Sequence, residues 1–312
     1  MTAQYLLTQN ETLILDGGLA TALEAGGHSL NTNLWSAQIL QSNPSAIYSV
    51  HLSYYLAGAD IATTASYQAS VPGLRENLDL TVAECMELIR QSVALAKEAR
   101  RSCLARQPGR KLLVAGSVGP YGAYLADGAE YTGAYDLSED EMRDFHRDRI
   151  AALVEGGVDL LACETMPNLG EIRALVGLLR DEFPDSRAWV SCTLADGDEG
   201  RLPDGSGVEE VLGLVEESEQ VVAVGFNCIP EQLASRALRH VKELKVTCKP
   251  LVVYPNSGER YDAVSKQWRG ERPKGQAVRE LAVEWHALGA RYIGGCCRTN
   301  AEDIANMAAA LR

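Results

Sequence analysis

Apolar residues in this chain gather in short, nearly unbroken blocks, and longer stretches with helical spacing separate them. Leu13-Ile14-Leu15 is the first block, followed by residues 59–64, 112–116, 158–163, 188–192, 221–226, 250–254 and 291–293. Such runs, with little alternation, are expected of strands buried on both faces in a parallel sheet. The intervening pattern predicts helices over about 44–57, 82–101, 138–155, 169–183, 231–244, 276–288 and 301–311. Pro44 sits where a first helical turn accepts proline. Gly58, Gly156-Gly157 and Gly289 each fall where a helix stops and a short link enters the next strand.

Eight strand–helix units in this order predict a (β/α)8 barrel spanning 1–312 as one domain. A doubly wound open sheet is the alternative, but no glycine-rich fingerprint follows the first strand to support a dinucleotide site. Links before strands are short, whereas those after strands are long at about 118–137, 194–207 and 255–275. In such barrels the strand C-termini and the loops that follow build the site. Asp16, Glu164, Cys228, Asn256 and the pair Cys296-Cys297 all stand at those ends.

Composition narrows the class of protein. A formal charge of -13 argues against a nucleic-acid partner, since phosphate binding needs clustered Lys and Arg. With 46% hydrophobic and 23% charged residues, no long apolar span and no basic-then-apolar leader, the expectation is a soluble cytoplasmic protein without membrane contact. The eight cysteines form no C-x-x-C pair and no disulfide-framework spacing. Cys85, Cys103, Cys163, Cys192 and Cys248 are expected to be small buried hydrophobes. His28, His51, His146, His240 and His286 lie away from the strand ends, which assigns them structural or surface roles.

Cys296 and Cys297 are different. Neighbouring Cα atoms about 3.8 Å apart make a poor disulfide, because bridged ones sit roughly 4.4–6.8 Å apart. Their sulfurs read better as two ligands of one soft metal, and strand six brings Cys228 within reach as a third. Three thiolates with a vacant fourth position suit a catalytic zinc ion, Zn2+, which would hold and deprotonate a thiol substrate. From residues alone, unrelated core cysteines or a redox pair remain alternatives.

The segments LDGG at 15–18, CET at 163–165, GFNC at 225–228, YPNSGE at 254–259 and GGCCR at 294–298 together resemble the zinc-dependent homocysteine S-methyltransferase family. TTASYQAS at 63–70 and SVGPYGAYLADG at 117–128 are similar to its small members that use S-methylmethionine. The resemblance implies methyl transfer from a sulfonium donor, S-methylmethionine or S-adenosylmethionine, to homocysteine, giving methionine. It implies zinc held by Cys228, Cys296 and Cys297, and a substrate ammonium held by Asp16 and Glu164. Gly17 and Gly18 would offer backbone N–H groups to the amino-acid carboxylate. Asn256 and Ser257 would be polar substrate contacts, and Tyr67, Tyr121 and Tyr124 would lay ring faces beside the sulfonium.

Two other readings follow from the same residues: betaine- or selenocysteine-type methyl transfer on this scaffold, and a non-enzymatic zinc- or thiol-sensing protein. The end of the chain directly after the eighth helix argues against a betaine-type C-terminal extension. A polar segment at 259–275, with Arg260, Lys266, Arg269, Arg272 and Lys274, is expected to be a lid over homocysteine. Nothing in the chain sets an oligomeric state.

Overall fold

The computed structural model describes residues 11–30, 34, 36–258, 260–262, 267–269 and 272–312, with backbone alone at 260–262 and 267–269. Eight parallel strands follow in chain order: β1 (Leu13–Ile14), β2 (Ile61–Thr63), β3 (Leu113–Val118), β4 (Leu160–Met166), β5 (Ala188–Cys192), β6 (Val221–Pro230), β7 (Leu251–Asn256) and β8 (Ala290–Ile293). They pair in the order β1-β8-β7-β6-β5-β4-β3-β2. A parallel bridge between Leu15 and Ile61 joins the two ends of that series, so the sheet closes into the expected (β/α)8 barrel.

Alternation hidden in the unbroken apolar runs sorts the strand side chains into two layers. Leu13, Leu15, Ile61, Leu113, Ala115, Leu160, Ala162, Trp189, Val252, Tyr254 and Tyr292 form one buried cluster that fills the barrel. Their neighbours Ile14, Val114, Leu161, Val190, Val224 and Val253 belong to a larger cluster with the surrounding helices. Both faces are therefore dry, which is why strand and barrel-core residues are apolar without a break.

Twelve α-helices lie among the described residues, and the longer ones match their sequence signals. They are α1 (Leu19–Ala25), α2 (Ser36–Ser42), α3 (Pro44–Ala57), α4 (Val71–Leu78), α5 (Val82–Arg106), α6 (Tyr121–Leu125), α7 (Glu139–Gly156), α8 (Leu169–Glu182), α9 (Val208–Glu216), α10 (Glu231–Leu244), α11 (Gln276–Ala287) and α12 (Ala301–Leu311). Reciprocal capping boxes, Thr81 with Glu84 and Ser138 with Glu141, start α5 and α7. Gly58 (φ 121°) and Gly157 (φ 78°) end α3 and α7 in backbone conformations that side chains oppose.

Five helices have no counterpart in the apolar pattern: α1, α2, α4, α6 and α9. Each is nine residues or fewer, too short for several repeats of a 3.6-residue period. Of these, α6 and the 3₁₀ turn Ala129–Tyr131 give structure to the predicted long loop after β3. Cys85, Cys103, Cys163 and Cys192 are buried as expected, but Cys248 is exposed. It lies in the turn before β7, where its N–H bonds the Glu216 carboxylate, and the pairing of β7 begins only at Leu251.

Candidate active site

The C-terminal ends of β6 and β8 bring three sulfurs together. Cys228, Cys296 and Cys297 place their Sγ atoms within 4.8 Å of one another, and Cys228 lies 3.8 Å from Cys297. Cys228 has φ 55°, a left-handed conformation that a non-glycine residue holds at a cost of about 1–2 kcal/mol. The residue before it supplies an anchor: Asn227 accepts from Thr165 N at 2.7 Å and bonds Thr165 Oγ1 at 2.8 Å. Thr165 itself has φ 61°, so one amide side chain ties together the unusual backbones at the ends of β4 and β6.

The Gly294–Arg298 turn is just as constrained. Gly294 N–H donates to Val253 O, Gly295 N–H to Asp16 O, Cys296 N–H to Pro255 O and Arg298 N–H to Thr21 Oγ1. Cys297 N–H donates to Asn256 Oδ1 at 3.2 Å. A Cβ at Gly294 would fall 2.6 Å from Leu15 Cβ, and one at Gly295 2.3 Å from Thr299 Oγ1. The two glycines before the cysteines are thus required by close packing against β1 and the start of α12.

The sulfur geometry fits a tetrahedral metal. Ligands at the zinc–sulfur distance of about 2.3 Å subtend an edge of about 3.8 Å, which is the Cys228–Cys297 separation. Charge points the same way. Hydrogen bonds from Cys228 and Cys296 hold the Cys297 thiol well below its ordinary pKa, while bonding to Cys228 and Cys297 keeps the Cys296 thiol protonated. Three adjacent sulfurs cannot all ionise alone, so the full set of thiolates calls for a cation among them.

Two carboxylates share this end of the barrel. Asp16, just beyond β1, accepts from Thr63 N at 2.8 Å and from Thr63 Oγ1 at 2.5 Å. Glu164, in β4, is bonded by the Ser117 and Tyr254 hydroxyls. Both are buried, and burial raises each to about 7 despite those bonds, with Glu164 raising Asp16 further. Among the described residues neither has an ion-pair partner, so the pair is a ready receptor for a buried cation.

The other expected residues divide. Tyr67 reaches the site, bonding Thr165 and lying close enough to Cys228 and Glu164 to feel their charge. Tyr121 and Tyr124 do not share that placement: their rings pack against each other and Phe145 in tilted and edge-on contacts, and Tyr124 Oη donates to Glu76. Asn256 and the Ser257 N–H both bond Cys297, so they shape the cysteine turn. Gly18 N–H is already directed at Thr299 O and Oγ1. Close packing also requires glycine at 17 and 18, since a Cβ would lie 2.9 Å from the Tyr54 ring and 2.6 Å from Cys296 O respectively. Within the expected lid, residues 259, 263–266 and 270–271 lie outside the described residues. Of its cations, Arg272 donates to Arg298 O and pairs with Asp303 at 3.0 Å.

Two site residues have no obvious sequence signal. Tyr131, in the 3₁₀ turn, puts its hydroxyl 3.2 Å from Cys228 Sγ while the residue as a whole remains 46% exposed. Its neighbour Glu130 brings a third carboxylate into the electrostatic range of Cys228. A buried polar frame holds these loops. Arg149 donates to Tyr67 O, Gly119 O and His146 Nδ1, leaving the His146 Nε2 proton for Glu171, which also accepts from Tyr121 N. Burial lowers the His146 pKa, consistent with a neutral, structural histidine.

Comparison with known proteins agrees with this geometry. The homocysteine S-methyltransferase profile matches residues 13–311. The homocysteine S-methyltransferase of Escherichia coli (strain K12) is 50% identical over 305 residues, covering 97% of this chain and 96% of that protein. Homocysteine S-methyltransferase YbgG of Bacillus subtilis (strain 168) is 45% identical, covering 98% and 96%. The crystal structure of the metallated E. coli homocysteine methyltransferase MmuM superimposes with a TM-score of 0.87 at 47% identity, covering 98% of each chain. A match across nearly the whole barrel, cysteine turn included, shows that the chain belongs to the homocysteine S-methyltransferase family.

Proposed function

We propose that this enzyme transfers a methyl group from S-methylmethionine to homocysteine, yielding two molecules of methionine, with zinc held by Cys228, Cys296 and Cys297. The observation that carries the reading is the convergence of three sulfurs within 4.8 Å at the barrel mouth that also holds Asp16 and Glu164. Zinc bound there would keep a thiol substrate ionised at neutral pH and leave its sulfur nucleophilic.

The chain's own residues would do the rest. Asp16 and Glu164, each oriented by hydroxyl donors, bind the homocysteine ammonium and so aim its side chain at the sulfur cluster. Thr63, Ser117 and Tyr254 fix the two carboxylates, and Asn227 and Asn256 fix the backbone that carries the cysteines. The homocysteine sulfur then attacks the donor methyl carbon in line. A new C–S bond forms as the old one breaks, the thiolate loses its charge and the sulfonium leaves as a neutral thioether. The thiol proton goes to solvent when the thiol ionises and none moves in the methyl transfer itself, so no general acid or base is required of the histidines. The chemistry needs reduced sulfurs, and we place the enzyme in the cytoplasm for that reason.

The test is methionine formation by the zinc-loaded enzyme from homocysteine with S-methylmethionine, S-adenosylmethionine and betaine in parallel. S-methylmethionine is expected to give the highest kcat/KM. Turnover with betaine and none with S-methylmethionine refutes the donor assignment, and methylation of selenocysteine in preference to homocysteine refutes the acceptor.

A further inference from the structure

The proposed reaction brings a second cation to the sulfur cluster. Homocysteine presents an ammonium, for which Asp16 and Glu164 are built, but the donor carries a separate positive charge on the sulfur whose methyl group must reach the thiolate. A group that recognises this charge has to lie near the cysteines and keep an oxygen free to receive it.

Glu130 meets both conditions. It sits in the 3₁₀ turn Ala129–Tyr131 on the loop after β3, at the end of the barrel where the site is built. The next residue, Tyr131, places its hydroxyl 3.2 Å from Cys228 Sγ, which pins the turn to the cluster. Gly122 packs tightly beneath it: a Cβ there would lie 2.5 Å from Glu130 N and 2.6 Å from Ala129 C. The Glu130 Oε2 atom is buried and has no hydrogen-bond partner among the described residues. This sets it apart from Asp16 and Glu164, whose carboxylates are held by hydroxyl donors. An unpaired carboxylate oxygen withdrawn from water is costly, and proteins retain such groups where a ligand completes them. Cys228 helps to raise the Glu130 pKa and Glu130 helps to raise that of Tyr67, so the carboxylate lies within electrostatic range of both.

We propose that Glu130 is the specificity-determining contact for the sulfonium centre of the methyl donor, acting with the ring faces of Tyr67 and Tyr131 to select a cationic methyl group next to the cysteine cluster. This rests on the proposed sulfonium chemistry and extends it to a named residue. A carboxylate there favours the charged donor over a neutral molecule of the same shape, whereas its neutral thioether product is held less tightly and departs.

The experiment compares two probes by calorimetric titration of the zinc-loaded enzyme: S-methylmethionine, and its carbon isostere in which CH replaces the sulfonium sulfur. For Glu130→Gln, affinity for S-methylmethionine is expected to fall about 30-fold, roughly 2 kcal/mol at 1.4 kcal/mol per decade, with affinity for the isostere, zinc content and homocysteine affinity all retained. Glu130→Asp keeps the charge and should recover part of the preference. Equal weakening of both probes, or no change in either, overturns the assignment. Wild-type turnover is measured alongside. If the wild type does not use S-methylmethionine, the donor reading fails and this inference with it. If the wild type does and Glu130→Gln behaves identically, only the role of Glu130 fails.

Discussion

Replacing Asp16 by Asn should disable homocysteine binding while making the substrate-free protein more stable. The substitution is nearly isosteric, and its hydrogen bonds can survive: the amide oxygen accepts from Thr63 N, and the amide N–H₂ donates to a Thr63 hydroxyl that has rotated to accept. What is lost is the charge. A charge-assisted bond to the substrate ammonium is worth about 2–3 kcal/mol, so kcat/KM for homocysteine should fall roughly 30- to 150-fold. The larger part should appear in KM, because the ammonium is held equally in ground and transition states.

Stability should move the other way. Burial raises Asp16 from 3.8 to about 7, so the folded state binds a proton more tightly than the unfolded state. Stability is then lost as pH rises from the unfolded value to about 7, an upper figure of roughly 4 kcal/mol at 1.36 kcal/mol per pH unit. Asn still buries a polar group, so a net gain of about 1–2 kcal/mol and a Tm higher by a few degrees are expected at pH 7.5 and above. The pH profile supplies an independent readout. With Asp16 and Glu164 both near 7 in the free enzyme, log kcat/KM for homocysteine should fall below pH 7 with a slope approaching two, and the variant should show a slope of one. Steady-state kinetics from pH 5.5 to 8.5 and a thermal melt of the substrate-free protein check all three. An unchanged homocysteine KM, or a lower Tm with an unchanged acid limb, refutes the role given to Asp16.

Other outcomes follow from the same geometry. Cys228→Ala should abolish stoichiometric zinc binding, measured by elemental analysis, and reduce methyl transfer at least about 1,000-fold, since only two sulfurs remain; a metal-free variant with full activity contradicts the site. Removing metal from the wild type with a chelator should abolish turnover, and added zinc should restore it. Asn227→Ala breaks both bonds to Thr165, with an expected loss of about 2–3 kcal/mol in denaturant unfolding and weaker zinc retention; a wild-type midpoint and zinc affinity would show that the clamp is dispensable. Gly18→Ala forces a methyl group to 2.6 Å from Cys296 O, so the displaced cysteine turn should appear as reduced zinc content even where the protein still folds.

The barrel was legible because its strands are buried on two sides. Two dry faces leave an unbroken apolar run, and the helices between them are long enough for their period to show, as in α5 and α7 with their capping boxes. The short helices α4 and α6 were not legible for the opposite reason, since a proline and glycines interrupt the few residues they contain. At the site, the adjacent cysteines were informative because neighbouring thiols make a poor disulfide, whereas Tyr121 and Tyr124 looked equivalent to Tyr67. Only the packing of α6 against Phe145 separates them.

From its sequence alone, this protein's chemistry was determined in kind: strand-end cysteines for a metal, strand-end acids for an ammonium, and a parallel barrel to gather them. Those properties reside in residue type and in periodicity, both local. The tertiary structure decided which groups meet. It brought Tyr131 to Cys228 across 97 residues, left one Glu130 carboxylate oxygen without a hydrogen-bond partner among the described residues, and packed the glycines of the first loop closely against Tyr54 and Cys296. Contacts of that kind depend on how loops pack over the closed sheet, and no spacing along the chain encodes the distance between two loops.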